Sequence, residues 1–395
     1  MNASTRLIRL EEVATFMGGG TPSRARPQYF GGGIPWVKTT DMNNRLISIT
    51  EETLTALGLA EFSCKMIPAN AVLVAMYGGF NQIGRTGLLL QASAINQALT
   101  AIIPDSRKLA SEFLLEWLNY RVGYWKRFAG SSRKDPNITK GDVADFPVPC
   151  MPVDQQGASV RVLSAWNAAI EKTERLIVVK ELRLQAISHQ AITARLRISG
   201  FSSRWQSLRA DHIFENTSKK GYATEQLLSV TQDRGVIPRD MLDGRVTMPA
   251  GGTNSFKLVE PGNFVISLRS FQGGLEYSDY RGLVSPAYTV LQANRKIDEK
   301  FFRHYFKSAD FIKRLSVAVI GIRDGKQVSF QDFCSIKLPF PPIEEQQAIA
   351  SMLDHAEREI SMLRDQVVAF KKQKRGLMQK LLTGQWCVSA PTTKE

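Results

Sequence analysis

The chain has 395 residues, 43% of them hydrophobic, which is enough for two or three domains with real cores and excludes a disordered polymer as the default. Lys and Arg number 51 against 37 Asp and Glu, a formal charge of +14 with a pI near 9.7, so the surface field favours a polyanion, nucleic acid first and an acidic protein second. The four cysteines (Cys64, Cys150, Cys334, Cys387) form no C-x-x-C pair, so neither a zinc finger nor a disulfide framework is indicated. The start, Met1 to Arg6, has no signal-like apolar stretch and no run is long enough to cross a bilayer, so a cytoplasmic address and no membrane partner are expected.

The first element expected is a mixed globule over 1–150. Short apolar or β-branched runs alternate with Gly and Pro turns, as in the strand candidate Ala71–Met76 just after Pro68, and one aromatic-rich helix, Glu112–Phe128, comes late. A Pro-rich strap around Pro149 and Pro152 then stops the globule and starts a long helix from about Asp154 to Arg197. Its apolar positions return at spacings of three and four, the seam of a coiled coil: Leu163, Trp166, Ile170, Thr173, Ile177, Lys180, Leu184, Ile187, Ala191, Ala194. Gly200 is the expected stop.

A second globule over 200–340 has the same texture, with a strand candidate Asn263–Leu268 after Pro261 and a late helix Asp298–Leu315. A second strap and helix follow. Asp142, Pro149, Pro152, Val153, Asp154 and Gln156 map without a gap onto Asp332, Pro339, Pro342, Ile343, Glu344 and Gln346, an internal repeat of 190 residues. The second seam is Leu353, Ala356, Ile360, Leu363, Val367, Phe370, Lys374, Leu377, Leu381, with Gly384 as its stop. Two matching seams on one chain most economically bury each other, so Leu163, Ile170, Ile177 and Leu184 are expected to pair with Leu353, Ile360, Val367, Phe370 and Leu377 in an antiparallel coiled coil. The basic run Lys371, Lys372, Lys374, Arg375, Lys380 reads as a solvated helix face.

The expected fold is therefore α+β with a pseudo-twofold internal repeat: two mixed α/β domains (1–150 and 200–340) separated by two long spacer helices (151–199 and 341–384), then a polar tail, 385–395. Catalytic motifs are missing. No Asn- or Asp-Pro-Pro-aromatic tetrapeptide occurs, Gly325-Lys326 is followed by Gln327 rather than Ser or Thr, and Pro104-Asp105 is not followed by Glu-x-Lys. The triplets at Gly18 and Gly31 lack dinucleotide-binding spacing, and His189, His212, His304 and His355 form no ligand pattern.

The stretch Leu338-Pro339-Phe340-Pro341-Pro342-Ile343-Glu344-Glu345-Gln346-Gln347-Ala348-Ile349-Ala350 and the ending Lys380-Leu381-Leu382-Thr383-Gly384 resemble the specificity subunit of type I restriction-modification enzymes. Gly19-Gly20-Thr21-Pro22-Ser23, Tyr29 to Trp36, Ile83 to Gly87 and Asn96-Gln97 carry the same resemblance into the first globule, and the first strap reads as a drifted copy with Asp154-Gln155-Gln156. The resemblance implies a non-catalytic subunit whose two target-recognition domains each read half of a bipartite duplex. It further implies two methyltransferase subunits and, in the full complex, restriction/translocase subunits as partners. S-adenosylmethionine, ATP and Mg would then sit in those partners and no cofactor in this chain. A stand-alone DNA-modifying enzyme and a coiled-coil scaffold without sequence preference are the rival readings.

Duplex affinity comes mainly from Lys and Arg on phosphates, and sequence is read by Arg or Lys on guanine and Asn or Gln on adenine. Loops carrying both kinds supply the DNA-binding candidates. In the first globule these are Ser23, Arg24, Lys38, Thr39, Asn81, Gln82, Arg85, Ser131, Ser132, Arg133, Lys134 and Asn137. In the second they are Lys219, Lys220, Gln232, Arg234, Arg269, Ser270, Gln272, Arg323, Lys326 and Gln327.

Overall fold

A computed structural model of the protein describes residues 5–61, 65–77, 82–125, 127, 137–242, 252–268, 270–319 and 328–388, and not the side chains of Phe271 and Val319. The chain forms two compact units, Met1–Thr173 with Gln366–Glu395, and Glu174–Asp365. Each long helix therefore contributes one part to each unit.

In the first unit a five-stranded sheet runs in the order Ala14–Gly18, Leu99–Pro104, Val72–Ala75, Thr86–Leu89, Arg45–Ile47, antiparallel except for the last pair. The strand expected at Ala71–Met76 is its centre. Val72 and Val74 pack with Leu88, Ile102, Phe113 and Trp117, while Leu73 and Ala75 pack with Leu89, Ala101 and Ile47. Alternation at period two thus feeds two cores, one on each face, and both faces of this strand are buried. The late helix covers the first face, but it runs Ser111–Tyr120 and gives way to the 3-10 turn Val122–Trp125, shorter than expected. β-Branched Val122 and Gly123 are poor helix formers, and the turn lets Trp125 stack on Phe146 at 4.6 Å between ring centroids. A smaller sheet joins Glu52–Leu54, Phe30–Val37 and Ala94–Ile95.

The second unit repeats the order of the main sheet: Phe214–Thr217, Thr289–Ala293, Phe264–Ile266, Glu276–Tyr277. Phe264 and Ile266 face a core of Phe214, Phe301, Phe302, Phe306, Phe311 and Phe333, whereas Val265 faces Val259, Val284 and Val290. Two ribbons, Leu228–Thr231 with Gly235–Pro238 and Lys257–Val259 with Gly282–Val284, flank it. The single late helix expected over Asp298–Leu315 is two, Glu299–Phe306 and Ala309–Val319. The break falls where the Ser308 hydroxyl accepts from Phe311 N–H and starts the next helix, while Lys307 Nζ donates to the carbonyls of Gln232 and Gly273 and to Glu276.

The 190-residue repeat is structural over its whole second part. Capping boxes Thr139 with Asp142 and Ser329 with Asp332 open the short helices Lys140–Ala144 and Phe330–Cys334. The straps then pair as strands, Leu7–Arg9 with Pro147–Pro149 and Gln206–Arg209 with Lys337–Phe340. Two-stranded ribbons tolerate those prolines because each strand has a free edge. The long helices, Val153–Ile192 and Ile343–Leu382, have 40 residues each and begin and end 190 residues apart.

The stop of the first helix differs from expectation. It ends at Ile192 rather than near Arg197, with Ala194 at φ +58° and the amides of Arg195 and Leu196 both donating to Gln190 carbonyl. Gly200 lies beyond the stop. Ala194 is the repeat counterpart of Gly384, which takes φ +71° after the second helix.

Within each unit the helices pair antiparallel. In the first, Trp166 meets Phe370 edge-to-face at 5.5 Å, and Leu163 shares a core with Leu377, Met378 and Leu381. In the second, Leu184 and Ile187 pack with Ile349, Ala350 and Leu353, and Lys180 pairs with Glu359 at 2.6 Å. Seam positions are the covered ones: Leu163, Ile170, Leu353, Ile360 and Val367 are buried, and Ile177, Leu184, Phe370 and Leu377 are half-buried. Lys374 does not belong to a solvated face. Its ammonium pairs with the buried Glu116 carboxylate at 2.8 Å, and Asn167 donates to the other oxygen at 2.7 Å.

Candidate nucleic-acid interface

Two groups of candidate side chains form in the first unit. At the end of strand Val72–Ala75, a turn through Gln82 and Arg85 returns to Thr86–Leu89, with Gly84 N–H donating to Ala75 carbonyl. Exposed Asn137 arrives at the same end, because Ile138 N–H donates to Met76 carbonyl. The structure thus brings Gln82, Arg85 and Asn137 to one strand end. Asn81, Ser131, Ser132, Arg133 and Lys134 lie outside the described residues.

The second group sits on the smaller sheet. The segment Ser23 to Gln28 is exposed, and Arg24 lies with its guanidinium 4.6 Å from the Phe30 ring centroid and 5.5 Å from that of Trp36. Its Nη1 and Nη2 donate to the two oxygens of Glu52 at 2.6 and 3.0 Å. Lys38, only 15% exposed in its side chain, donates to Glu52 and Glu51 and is enclosed among carboxylates rather than presented outward. Thr39 is half-buried in the 3-10 turn Thr39–Asp41. The hydrogen bonds from Arg24 and then Lys38 hold the Glu52 carboxyl down at about 2. Sequence reasoning missed Arg26, which lies over Tyr29 at 5.6 Å and pairs with Glu61 at 3.1 Å. The signal available was the Arg-x-Arg spacing itself.

In the second unit Lys307 ties two candidate turns together, the one at Gln232 and the one at Gly273. Exposed Gln232, Arg234 and Gln272 therefore share the end of strand Phe264–Ile266, the counterpart of the strand end that gathers Gln82 and Asn137. Ser270 is a correction: it is 1% exposed, and its hydroxyl accepts from Ser267 N–H, so it shapes the turn and offers nothing to a ligand. Lys219 pairs with Glu260, which Arg281 also holds, while Lys220 is exposed. Arg269, Arg323, Lys326 and Gln327 lie outside the described residues.

Among the described residues, His304, Asp354 and Glu357 could approach a common cation. That place is already served by cations of the chain. Arg303 donates to Asp354 at 3.0 Å and to Glu357, and Lys300 pairs with Asp354 at 3.4 Å. Burial pushes the His304 imidazole below its usual value, and the group acts as an ion-pair network between the late helix and the long helix.

A family described as type I restriction modification DNA specificity domain matches this chain twice, over residues 5–181 and 203–367. The chain belongs to that family. The EcoR124I/EcoR124II specificity subunit of Escherichia coli is 25% identical over 185 residues, 44% of this chain and 44% of that relative, so the match spans less than half of its length. The MjaVIII specificity subunit of Methanocaldococcus jannaschii is 20% identical over 96% of this chain and 92% of its own. Among solved structures, the type I S subunit from M. genitalium has a TM-score of 0.56 at 14% identity, covering 97% of both chains. The HsdS subunit from Thermoanaerobacter tengcongensis has 0.50 at 17%, covering 98% of both. At such identities the likeness speaks for the specificity-subunit fold, and it extends through both copies of the domain.

Proposed function

We propose that this chain is the DNA-reading specificity subunit of a type I restriction-modification complex, its globules at 1–150 and 200–340 each reading one half of a bipartite target. The observation that carries this is the repetition of one binding edge. In both family matches the turns at the end of the same central strand carry amide and cationic residues, Gln82, Arg85 and Asn137 in one and Gln232, Arg234 and Gln272 in the other. Amides and arginines are the side chains that read adenine and guanine edges.

Catalysis is assigned to partners: methyltransferase subunits with S-adenosylmethionine, and restriction subunits with ATP and Mg. A protein partner is supported by the uncovered apolar run Leu176, Val178, Val179 and Leu182 on the first long helix, the last two 61% exposed. Among the described residues no helix is long and apolar enough to cross a membrane, and the proposed setting is the cytoplasm.

The test is enrichment from a pool of random duplex DNA by the chain bound to a type I modification subunit. Two short fixed blocks around a neutral gap are expected. No enrichment would leave the chain a scaffold, and methylation or cleavage by the purified chain alone would make it an enzyme.

A further inference from the structure

We infer that Arg24 is a guanine-reading residue of the first domain, held in reading position by Glu52 and the Phe30 and Trp36 rings; this deepens the DNA-reading function proposed above. A flexible arginine on an exposed loop loses side-chain freedom when it binds, and one already fixed loses little. Arg24 is fixed. Phe30 lies against its guanidinium, and Glu52 takes one hydrogen from each terminal nitrogen end-on. Glu52 is itself anchored, since Lys38 donates to it at 2.6 Å and its strand pairs Glu52 opposite Trp36.

The clamp leaves the useful edge free. A guanidinium has five N–H donors, and the end-on pair with Glu52 uses two. Nε–H and the second Nη2–H then form a parallel fork, the arrangement that matches O6 and N7 of guanine in the major groove. Among the described residues nothing engages that fork, and the Arg24 side chain stays 60% exposed on the segment Ser23 to Gln28.

Charge decides between base and phosphate. Attraction to phosphate needs net positive charge, and Glu52 cancels that of Arg24 while Lys38 is shared between Glu51 and Glu52. What survives the cancellation is directional hydrogen bonding, and the planar fork matches the paired O6 and N7 acceptors of guanine.

The experiment repeats the duplex enrichment with the full chain, bound to a modification subunit, as wild type, Arg24→Ala, Arg24→Lys and Glu52→Gln. Wild type must first yield two blocks; if it yields none, the DNA-reading function itself fails and not this inference alone. With two blocks, Arg24→Ala should lose preference at one guanine of one block by about 5- to 150-fold. The other block, unchanged, shows that the chain is folded. Arg24→Lys keeps the charge but loses the planar fork that Glu52 holds, so it should recover only part of the guanine preference, and Glu52→Gln should weaken preference at the same position. Uniform weakening of all sequences by Arg24→Ala, with the salt dependence falling by about one unit, would mean a phosphate contact and overturn the inference. Unchanged blocks in Arg24→Ala, or full recovery of the guanine by Arg24→Lys, would overturn it as well.

Discussion

Gln156 and Gln346, 190 residues apart in sequence, make the same buried connection in the two halves of the chain. Each amide oxygen accepts the backbone N–H at the start of the late helix, Ala110 at 2.8 Å and Asp298 at 2.9 Å. Each amide nitrogen donates back to the strap, to Met151 at 2.7 Å and to Pro341 at 2.9 Å. One side chain thereby fixes the strap, the long helix and the globule's own helix.

Replacing either glutamine by leucine should destabilise its unit by about 2 kcal/mol or more, because buried backbone groups lose their partners. Hydrogen exchange gives the discriminating readout. Gln156→Leu should expose the Ala110 amide and leave that of Asp298 protected, and Gln346→Leu should do the reverse. Gln156→Glu should also destabilise, since a carboxylate cannot donate to Met151 carbonyl.

At both helix stops the left-handed position favours glycine, so opposite exchanges should carry opposite signs. Ala194 holds a left-handed conformation that costs an L side chain about 1 to 2 kcal/mol, so Ala194→Gly should raise stability by about 1 kcal/mol after glycine's greater unfolded-state entropy is counted. Gly384→Ala should lower it by more, because the added Cβ would lie 2.3 Å from Thr5 Oγ1. Urea midpoints of the two variants check both signs.

The two straps and the starts of the long helices were legible in the sequence because a gapless repeat carries its own register: Asp142, Pro149 and Gln156 have visible counterparts. The seam spacing likewise marks the covered helix positions. The late helices were less legible. Apolar periodicity continues through Lys307 and Ser308, while the break there is made by the Ser308 cap together with the tertiary pull of Gln232, Gly273 and Glu276 on Lys307. Gly200 drew the stop away from Ala194 because alanine carries no left-handed signal. For the binding residues, sequence supplied residue type but not company: Arg24 and Lys38 look alike, yet one presents a fork and the other is enclosed by Glu51 and Glu52. Ser270 looked like a surface hydroxyl and is buried.

The link between the first late helix and the long helices is a buried charge pair, and its removal should be asymmetric. Lys374→Met leaves Glu116, 5% exposed, with Asn167 alone, and should cost about 3 kcal/mol or more. Adding Glu116→Leu to Lys374→Met should recover most of that loss, because an apolar pair of similar size needs no desolvation. A double-mutant cycle on urea midpoints measures the coupling. The same place in the second unit holds His304 beside Asp354 and Glu357, with Arg303 and Lys300 as the cations.

Acid should loosen the Glu52 clamp. The folded carboxyl titrates at about 2 against an ordinary 4.5, held down by Arg24 and then Lys38. A depressed carboxylate contributes stability in full above its unfolded value and loses it as pH falls toward its folded value. The contribution of Glu52 should therefore be complete above about pH 5, shrink between pH 4.5 and about 2, and vanish below. Its size is modest, about 1 kcal/mol, since Arg24 lies open to solvent and salt screens the pair. Wild type should exceed Glu52→Gln in urea midpoint at pH 7, with the gap closing as pH falls from 4.5 and narrowing at every pH when salt is raised. A gap that stays constant down to pH 3 would mean that Glu52 acts through packing alone, with no charge for Arg24 to lean on.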